Sequence, residues 1–216
     1  HDDYVVVKVM SSSMCGTERH TYNHGLHGGA ARGGIMNGGH EATGVVVKAM
    51  RASPLREGQR VNLFSAMGHC GRCPTCAAGR WVLCENDRPE PGTGYHSQFV
   101  LKRQDFCLPL ADDIDFDTGA LLTDVLGTAY HAVQRLKISA ADPVLITGKG
   151  PVGLAATMIC RFLGATVIAS DPNATRQEIS RRCGAHAVFP PGEGLLDQNR
   201  ETAGHNGVDA AIDCAG

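Results

Sequence analysis

Apolar residues gather in short runs over the first half of the chain: YVVVKV (4–9), GVVVKA (44–49), RVNLF (60–64) and SQFVLK (97–102). Each run has strand length and is bounded by loops rich in Gly, Cys or Pro. That pattern predicts an irregular β-rich domain. Near residue 110 the rhythm changes. PVLIT (143–147), TVIAS (166–170), AHAVF (185–189) and VDAAID (208–213) read as strands separated by helical stretches. Alternation of this kind predicts parallel βαβ units. After GKGPVG, residues Ala155, Met158, Ile159 and Phe162 recur at i, i+3, i+4 and i+7, which marks one apolar helix face. NATRQEISRRC (173–183) reads as a polar helix closed by Gly184, and LLDQNRETA (195–203) as another. The chain divides into domains 1–118 and 119–216. A doubly wound dinucleotide fold has about six strands, so the four found here describe an incomplete sheet. HDDYVVVKVM lacks an initiator Met and opens almost inside a strand, as in a chain whose natural start is missing.

Composition narrows the class. The chain has 216 residues and a net charge of −2, without the basic surplus of a nucleic-acid binder. The longest apolar stretch, Gly153 to Ala169, is broken by Arg161, so no membrane span is expected. Nothing at the start resembles a secretory signal. Nine cysteines, an odd number, argue against a secreted disulfide scaffold and for a reducing cytoplasm with metal-bound and free thiols.

Four of the nine fall in HCGRCPTCAAGRWVLC (69–84), at Cys70, Cys73, Cys76 and Cys84. The spacing C-x2-C-x2-C-x7-C, in a lobe at about 66–90, lets four thiolates converge on one ion. Four sulfurs around zinc close the coordination sphere, so the site is structural. An iron–sulfur cluster is the weaker reading, because such patterns usually add a remote Cys.

Gly148, Gly150 and Gly153 form G-x-G-x-x-G between an apolar strand and a helix, and Asp171 ends the next strand. That context is what dinucleotide binding requires. Gly148 permits the tight turn, Gly150 the approach of a pyrophosphate, and Gly153 close helix–strand packing. Pro151 and Val152 open the helix, whose free N–H groups face the phosphates. Asp171 would accept the ribose hydroxyls and repel a 2′-phosphate, which favours NAD over NADP. Arg176 is the counterweight, within reach of such a phosphate.

A further set of segments occurs in a familiar order: CGTERH (15–20), GGHEATG (38–44), the four-Cys lobe, LLTDVLGTAYHAV (121–133), GKGPVG (148–153) and GVDAAIDCAG (207–216). In these the chain resembles the zinc-dependent medium-chain alcohol dehydrogenases, including the sorbitol, threonine and formaldehyde dehydrogenase branches. The resemblance implies an α/β protein with a GroES-like catalytic domain, a Rossmann domain, and two zinc ions per chain. The catalytic ion would be bound by Cys15, His40 and a third ligand from 121–133, where Asp124 stands in place of the Cys or Glu of many members. Glu41 would lie behind the metal or exchange onto it, and Glu18 would fix the free nitrogen of His40. Thr17 and His20 would relay the proton, and Thr128 would contact the nicotinamide. The loop 21–37 would border the pocket. The implied reaction is hydride transfer between a secondary alcohol, polyol, sugar or amino alcohol and NAD through a zinc-bound alkoxide. A homodimer or homotetramer is implied as well. The competing reading is a zinc-stabilised dinucleotide-binding protein without turnover. Two zinc per chain separates the first from the second.

Overall fold

A computed structural model describes residues 3–24, 38–50, 53–64, 69–86, 94–204 and 207–215. These form two compact units, His1–Asp124 and Val125–Gly216.

The first unit is a five-stranded antiparallel sheet of β1 (Tyr4–Ser13), β2 (Glu41–Ala49), β3 (Arg60–Leu63), β4 (Phe99–Arg103) and β5 (Cys107–Pro109), in the order β4-β1-β2-β3-β5. Val5 and Val7 point into a core shared with Val46, Val61, Leu63 and Val100. This is the period-two pattern of a half-buried sheet. Among the described residues three α-helices decorate it: α1 (Gly16–His24), the single turn α2 (Pro74–Ala77) and α3 (Phe116–Ala120). Helix α1 continues to His24 through the first residues of the expected 21–37 loop, and 25–37 lie outside the described residues. The sequence pattern also misses β5 and α3.

The register of the sheet brings distant residues to one edge. Ser13, at the end of β1, pairs with Glu41, at the start of β2. Cys15 and His40 therefore leave the same sheet end from neighbouring strands. At Gly44 β1 and β2 leave no room for a side chain, since a Cβ there would lie 2.3 Å from the Lys8 carbonyl oxygen.

The second unit comprises α4 (Gly127–Leu136), β6 (Pro143–Thr147), α5 (Pro151–Phe162), β7 (Thr166–Ser170), α6 (Ala174–Arg182), β8 (Ala187–Phe189), α7 (Leu195–Ala203) and β9 (Ala210–Asp213). Its four strands are parallel, in the order β8-β7-β6-β9. This matches the first four positions of the doubly wound 3-2-1-4-5-6 order. Gly184 follows α6 at φ +96°, the left-handed stop its sequence signalled.

One expectation is half met. Of the α5 face at Ala155, Met158, Ile159 and Phe162, only Ala155 and Ile159 pack with the core. Phe162 is 90% exposed, and Met158 is exposed as well. The buried residues are Gly153, Ala155, Ala156, Thr157 and Cys160, so the seating side is centred on small residues rather than on Met158 and Phe162. Small side chains let the helix approach the strands closely, and hydropathy alone undervalues them.

Candidate functional site

The first cluster grows from the shared sheet end. Cys15 precedes α1, and Glu18 in that helix's first turn accepts the Cys15 backbone N–H through Oε2 at 2.6 Å. This is the backward half of a capping box, which fixes the start of the helix. The other Glu18 oxygen, Oε1, lies 2.5 Å from His40 Nδ1. The carboxylate holds that nitrogen as a donor and leaves Nε2 for a metal. His40 emerges from a turn that needs glycine: Gly39 sits at φ +100°, and a Cβ there would lie 2.8 Å from the His96 backbone nitrogen.

Asp124 arrives from the other side. Helix α3 is tied to the sheet by Thr43 Oγ1 donating to the Phe116 carbonyl at 2.7 Å, and by Asn62 Nδ2 donating to the Gly119 carbonyl. A single π-helical turn, Leu122–Leu126, follows, and Thr123 Oγ1 donates to the Leu63 carbonyl at 3.2 Å. Such turns are rare and concentrate at functional sites. This one delivers Asp124 Oδ2 to 2.9 Å from His40 Nε2 and 3.6 Å from Cys15 Sγ.

Ligand atoms of Cys15, His40, Glu41 and Asp124 all lie within 4.8 Å of one another, a spacing one ion can span. Glu41 supplies a further sign of fit. It is 1% exposed, its Oε2 accepts from Ser13 Oγ, and its Oε1 has no hydrogen-bond partner among the described residues. A buried oxygen left unsatisfied is costly unless something positive approaches it. One thiolate, one imidazole and one carboxylate make a zinc set with a position to spare.

Without metal, the surroundings favour the protonated forms of Cys15, His40 and Glu41. Burial pushes the Cys15 thiol and the Glu41 carboxyl upward. Burial works to lower His40, but its bond to Asp124 and the charges of Glu18 and Asp124 outweigh that and raise it. A metal must displace these protons, so acid competes with it. Zinc affinity at this cluster should therefore rise by more than about tenfold per pH unit between pH 6 and 8. Chelator competition across that range checks this, and a flat profile would contradict it.

Thr17 and His20 lie exposed on α1, with Thr17 Oγ1 3.8 Å from Cys15 Sγ. Thr128 lies on α4, in the second unit.

The second cluster is the four-Cys lobe. Its sulfurs approach at 3.4 Å (Cys73–Cys76), 3.8 Å (Cys73–Cys84) and 4.0 Å (Cys70–Cys76). Thiolates about 2.3 Å from a tetrahedral zinc are about 3.8 Å apart, whereas a disulfide needs about 2.05 Å. The four are free thiols grouped for an ion. The Thr75 hydroxyl draws Cys73 down to about 6, while burial drives Cys76 up to about 12. His69, to which the sequence assigned no role, joins the lobe to the domain. Its ring stacks on Trp81 at 4.8 Å and meets buried Phe106 edge-on at 5.0 Å.

The third site lies in the second unit, at the C-terminal ends of β6 and β7. Gly148 has φ +75°, and a Cβ on it would meet the Ala215 nitrogen at 2.5 Å. A Cβ on Gly153 would lie 1.9 Å from the Gly148 oxygen. Gly150 differs, since a Cβ there would meet nothing within 4 Å. Its open side, beside the N–H groups of Val152 and Gly153 that begin the helix after Pro151, suits a pyrophosphate. Asp171 is 2% exposed and accepts the Lys149 N–H at 2.6 Å and the Asn173 N–H at 2.8 Å. Arg176 Nη1 stands 3.8 Å from its Oδ2.

Comparison with known proteins places the chain in a family. Residues 1–112 match the family model "Alcohol dehydrogenase GroES-like domain", and 151–216 match "Zinc-binding dehydrogenase". The probable D-xylulose reductase A of Aspergillus clavatus is 34% identical over 226 residues, covering 100% of this chain and 62% of that protein. The sorbitol dehydrogenase of Bacillus subtilis is 30% identical over 222 residues, with the same coverage of each chain. A solved zinc-binding dehydrogenase from Sinorhizobium meliloti 1021, bound to NADP, superposes with a TM-score of 0.82 at 33% identity, over 100% of this chain and 63% of that one. The chain thus spans less than two thirds of the length of these relatives. Among the described residues no helix is long and apolar enough to cross a membrane. On the strength of these matches the chain belongs to the zinc-dependent medium-chain alcohol dehydrogenase family.

Proposed function

We propose that the protein oxidises a polyol-type secondary alcohol, or reduces the matching ketone, with NAD as the redox partner. The observation that carries this reading is the convergence of Cys15, His40 and Asp124 at one sheet end, backed by the unsatisfied Glu41 Oε1. Bound there, zinc would supply the positive charge that stabilises an anionic substrate oxygen. The nicotinamide would take the hydride from the carbinol carbon. Glu18 keeps the His40 ring and the Cys15 backbone in place. The hydroxyl proton passes to Thr17 and then to His20, three residues on along the same face of α1, and from exposed His20 to water. Thr128 contacts the nicotinamide in this reading. Nine free thiols support a reducing cytoplasm as the setting.

Asp171 supports NAD. Its buried carboxylate already takes two backbone N–H groups, and Arg176 is drawn toward it. A 2′-phosphate would have to face that negative charge, a repulsion of order 4 kcal/mol per unit charge at about 4 Å and an effective dielectric near 20. We expect kcat/KM with NAD to exceed that with NADP by more than about tenfold. A higher value with NADP would reassign Arg176 to the phosphate. The names of the relatives and a carboxylate third ligand favour polyols. The decisive test is a panel of xylitol, sorbitol and ethanol, run on the full-length, zinc-loaded protein. Turnover confined to the polyols supports the reading. Cofactor binding with no turnover on any alcohol would leave the binding-protein reading instead.

A further inference from the structure

The residue between the first two glycines of the dinucleotide turn is a lysine, and it is wholly buried. Lys149 is 0% exposed. An ammonium is costly to bury unless its donors are met and its charge is used. Its Nζ donates to the Gly153 carbonyl at 2.7 Å and to Thr157 Oγ1, and Thr157 Oγ1 donates in turn to the Gly153 carbonyl at 2.9 Å. Gly153 and Thr157 belong to the small-residue face with which α5 packs on the sheet. The Lys149 backbone N–H donates to Asp171. One residue thus ties together the glycine turn, the first two turns of α5, and the acid at the end of β7.

We propose that Lys149 is a positioning residue for the dinucleotide: its ammonium locks the 148–153 turn onto α5 and sets a fixed positive charge beneath the phosphates. This rests on the dinucleotide-dependent reading above and goes beyond it, because the G-x-G-x-x-G pattern asks for no charge at that position.

The groups facing the ammonium are Cys160 on α5, Cys183 at the end of α6, Cys214 after β9 and Asp171 after β7. Burial lifts the Cys160 thiol to about 11 and raises Cys214. Both shifts favour the neutral thiol, and Asp171 is the carboxylate that Lys149 offsets. When Lys149 is neutral, the turn keeps the Asp171 carboxylate with Arg176 as its remaining cationic neighbour, and the phosphates meet a more negative site. Burial holds Lys149 down at about 8. Its charge is complete well below that pH and lost above it. The sign for folding is opposite to the sign for cofactor binding. The unfolded chain holds the lysine proton up to about pH 10.4, so the penalty of burying the ammonium is fully present below pH 8 and relieved between the two.

The test is Lys149→Met, which keeps the length and removes the charge, in the full-length, zinc-loaded protein. NADH Kd is read by fluorescence titration from pH 6.5 to 9.5, with ADP-ribose as a second probe that has the phosphates and lacks the nicotinamide. Wild type should bind both progressively more weakly above pH 8. The variant should bind both about tenfold more weakly at pH 7, with a flat pH profile and an undiminished Tm. In turnover the loss should fall on the KM for cofactor rather than on kcat. A variant with wild-type Kd across the range overturns the proposal. So does a Kd increase that keeps the wild-type pH profile and comes with a lower Tm, which would mark a purely structural lysine. Wild-type protein that binds neither NADH nor NADPH overturns the dinucleotide reading itself, and the proposal with it.

Discussion

Asp124→Ala should leave about one zinc per chain in place of the two proposed for the wild type, and should lower kcat/KM for polyol oxidation by at least about 10³-fold. The magnitude follows from the several kcal/mol that a Lewis-acid ion gives a developing oxyanion, at 1.36 kcal/mol per tenfold in rate. Stability should change much less. Asp124 is half-buried at a turn, and α3 remains tied down through Thr43 and Asn62. The substitution strips His40 Nε2 of its 2.9 Å acceptor and Cys15 of its neighbour at 3.6 Å, but leaves Glu18 on His40 Nδ1. Asp124→Cys supplies the control. It restores a donor of another kind, giving two thiolates and an imidazole, a set known to hold catalytic zinc. Zinc content should return to about two. Metal analysis with steady-state kinetics decides the matter. An Asp124→Ala protein that keeps both zinc ions and its turnover would move the third-ligand assignment to Glu41.

The parts of this site differ in how far the sequence reveals them. The four cysteines and the glycine turn are local signals: their chemistry needs fixed spacing within one loop, and spacing survives in a string of letters. Cys15, His40 and Asp124 are far apart along the chain. Cys15 and His40 meet because β1 and β2 pair with Ser13 opposite Glu41, a register that no short motif encodes, and Asp124 is brought to them by the turn after α3. Their grouping could be expected only through the resemblance of the whole segment order. The π-helical turn at Leu122–Leu126 carries no propensity signature, since what makes it is the anchoring of α3 and Thr123 to the sheet. The buried face of α5 escapes hydropathy for a related reason. Hydropathy rewards Met158 and Phe162, whereas close helix–sheet packing selects Gly153, Ala156 and Cys160 for size. Lys149 shows the same limit from the other side. A lysine in a turn reads as solvated, and only tertiary structure reveals that its charge is enclosed.

The second large effect is expected at the four-Cys lobe, where Cys76→Ser should remove the other zinc and unfold the segment 70–86 while the β1–β2–β3 core persists. Of the lobe's side chains, His69 and Cys76 are buried, whereas Trp81, Val82 and Leu83 are exposed. Such a segment cannot hold itself together by apolar burial. Its backbone also leans on sulfur: the Cys70 N–H points to Cys84 Sγ and the Cys73 N–H to Cys70 Sγ, both at 3.4 Å. Structural zinc contributes about 10–16 kcal/mol of apparent binding energy, which rivals the whole stability of a typical domain at about 5–15 kcal/mol. Loss of one thiolate should therefore abolish the lobe rather than loosen it. The damage should reach the domain through the His69 stack on Trp81 and its edge contact with Phe106, lowering Tm without destroying the sheet. Hydrogen exchange should show amides 70–86 unprotected and those of Val5, Val7 and Val46 still protected, with zinc content near one per chain. Retention of both zinc ions, or collapse of the β1–β2 pairing along with the lobe, would show that the ion is not the lobe's local organiser.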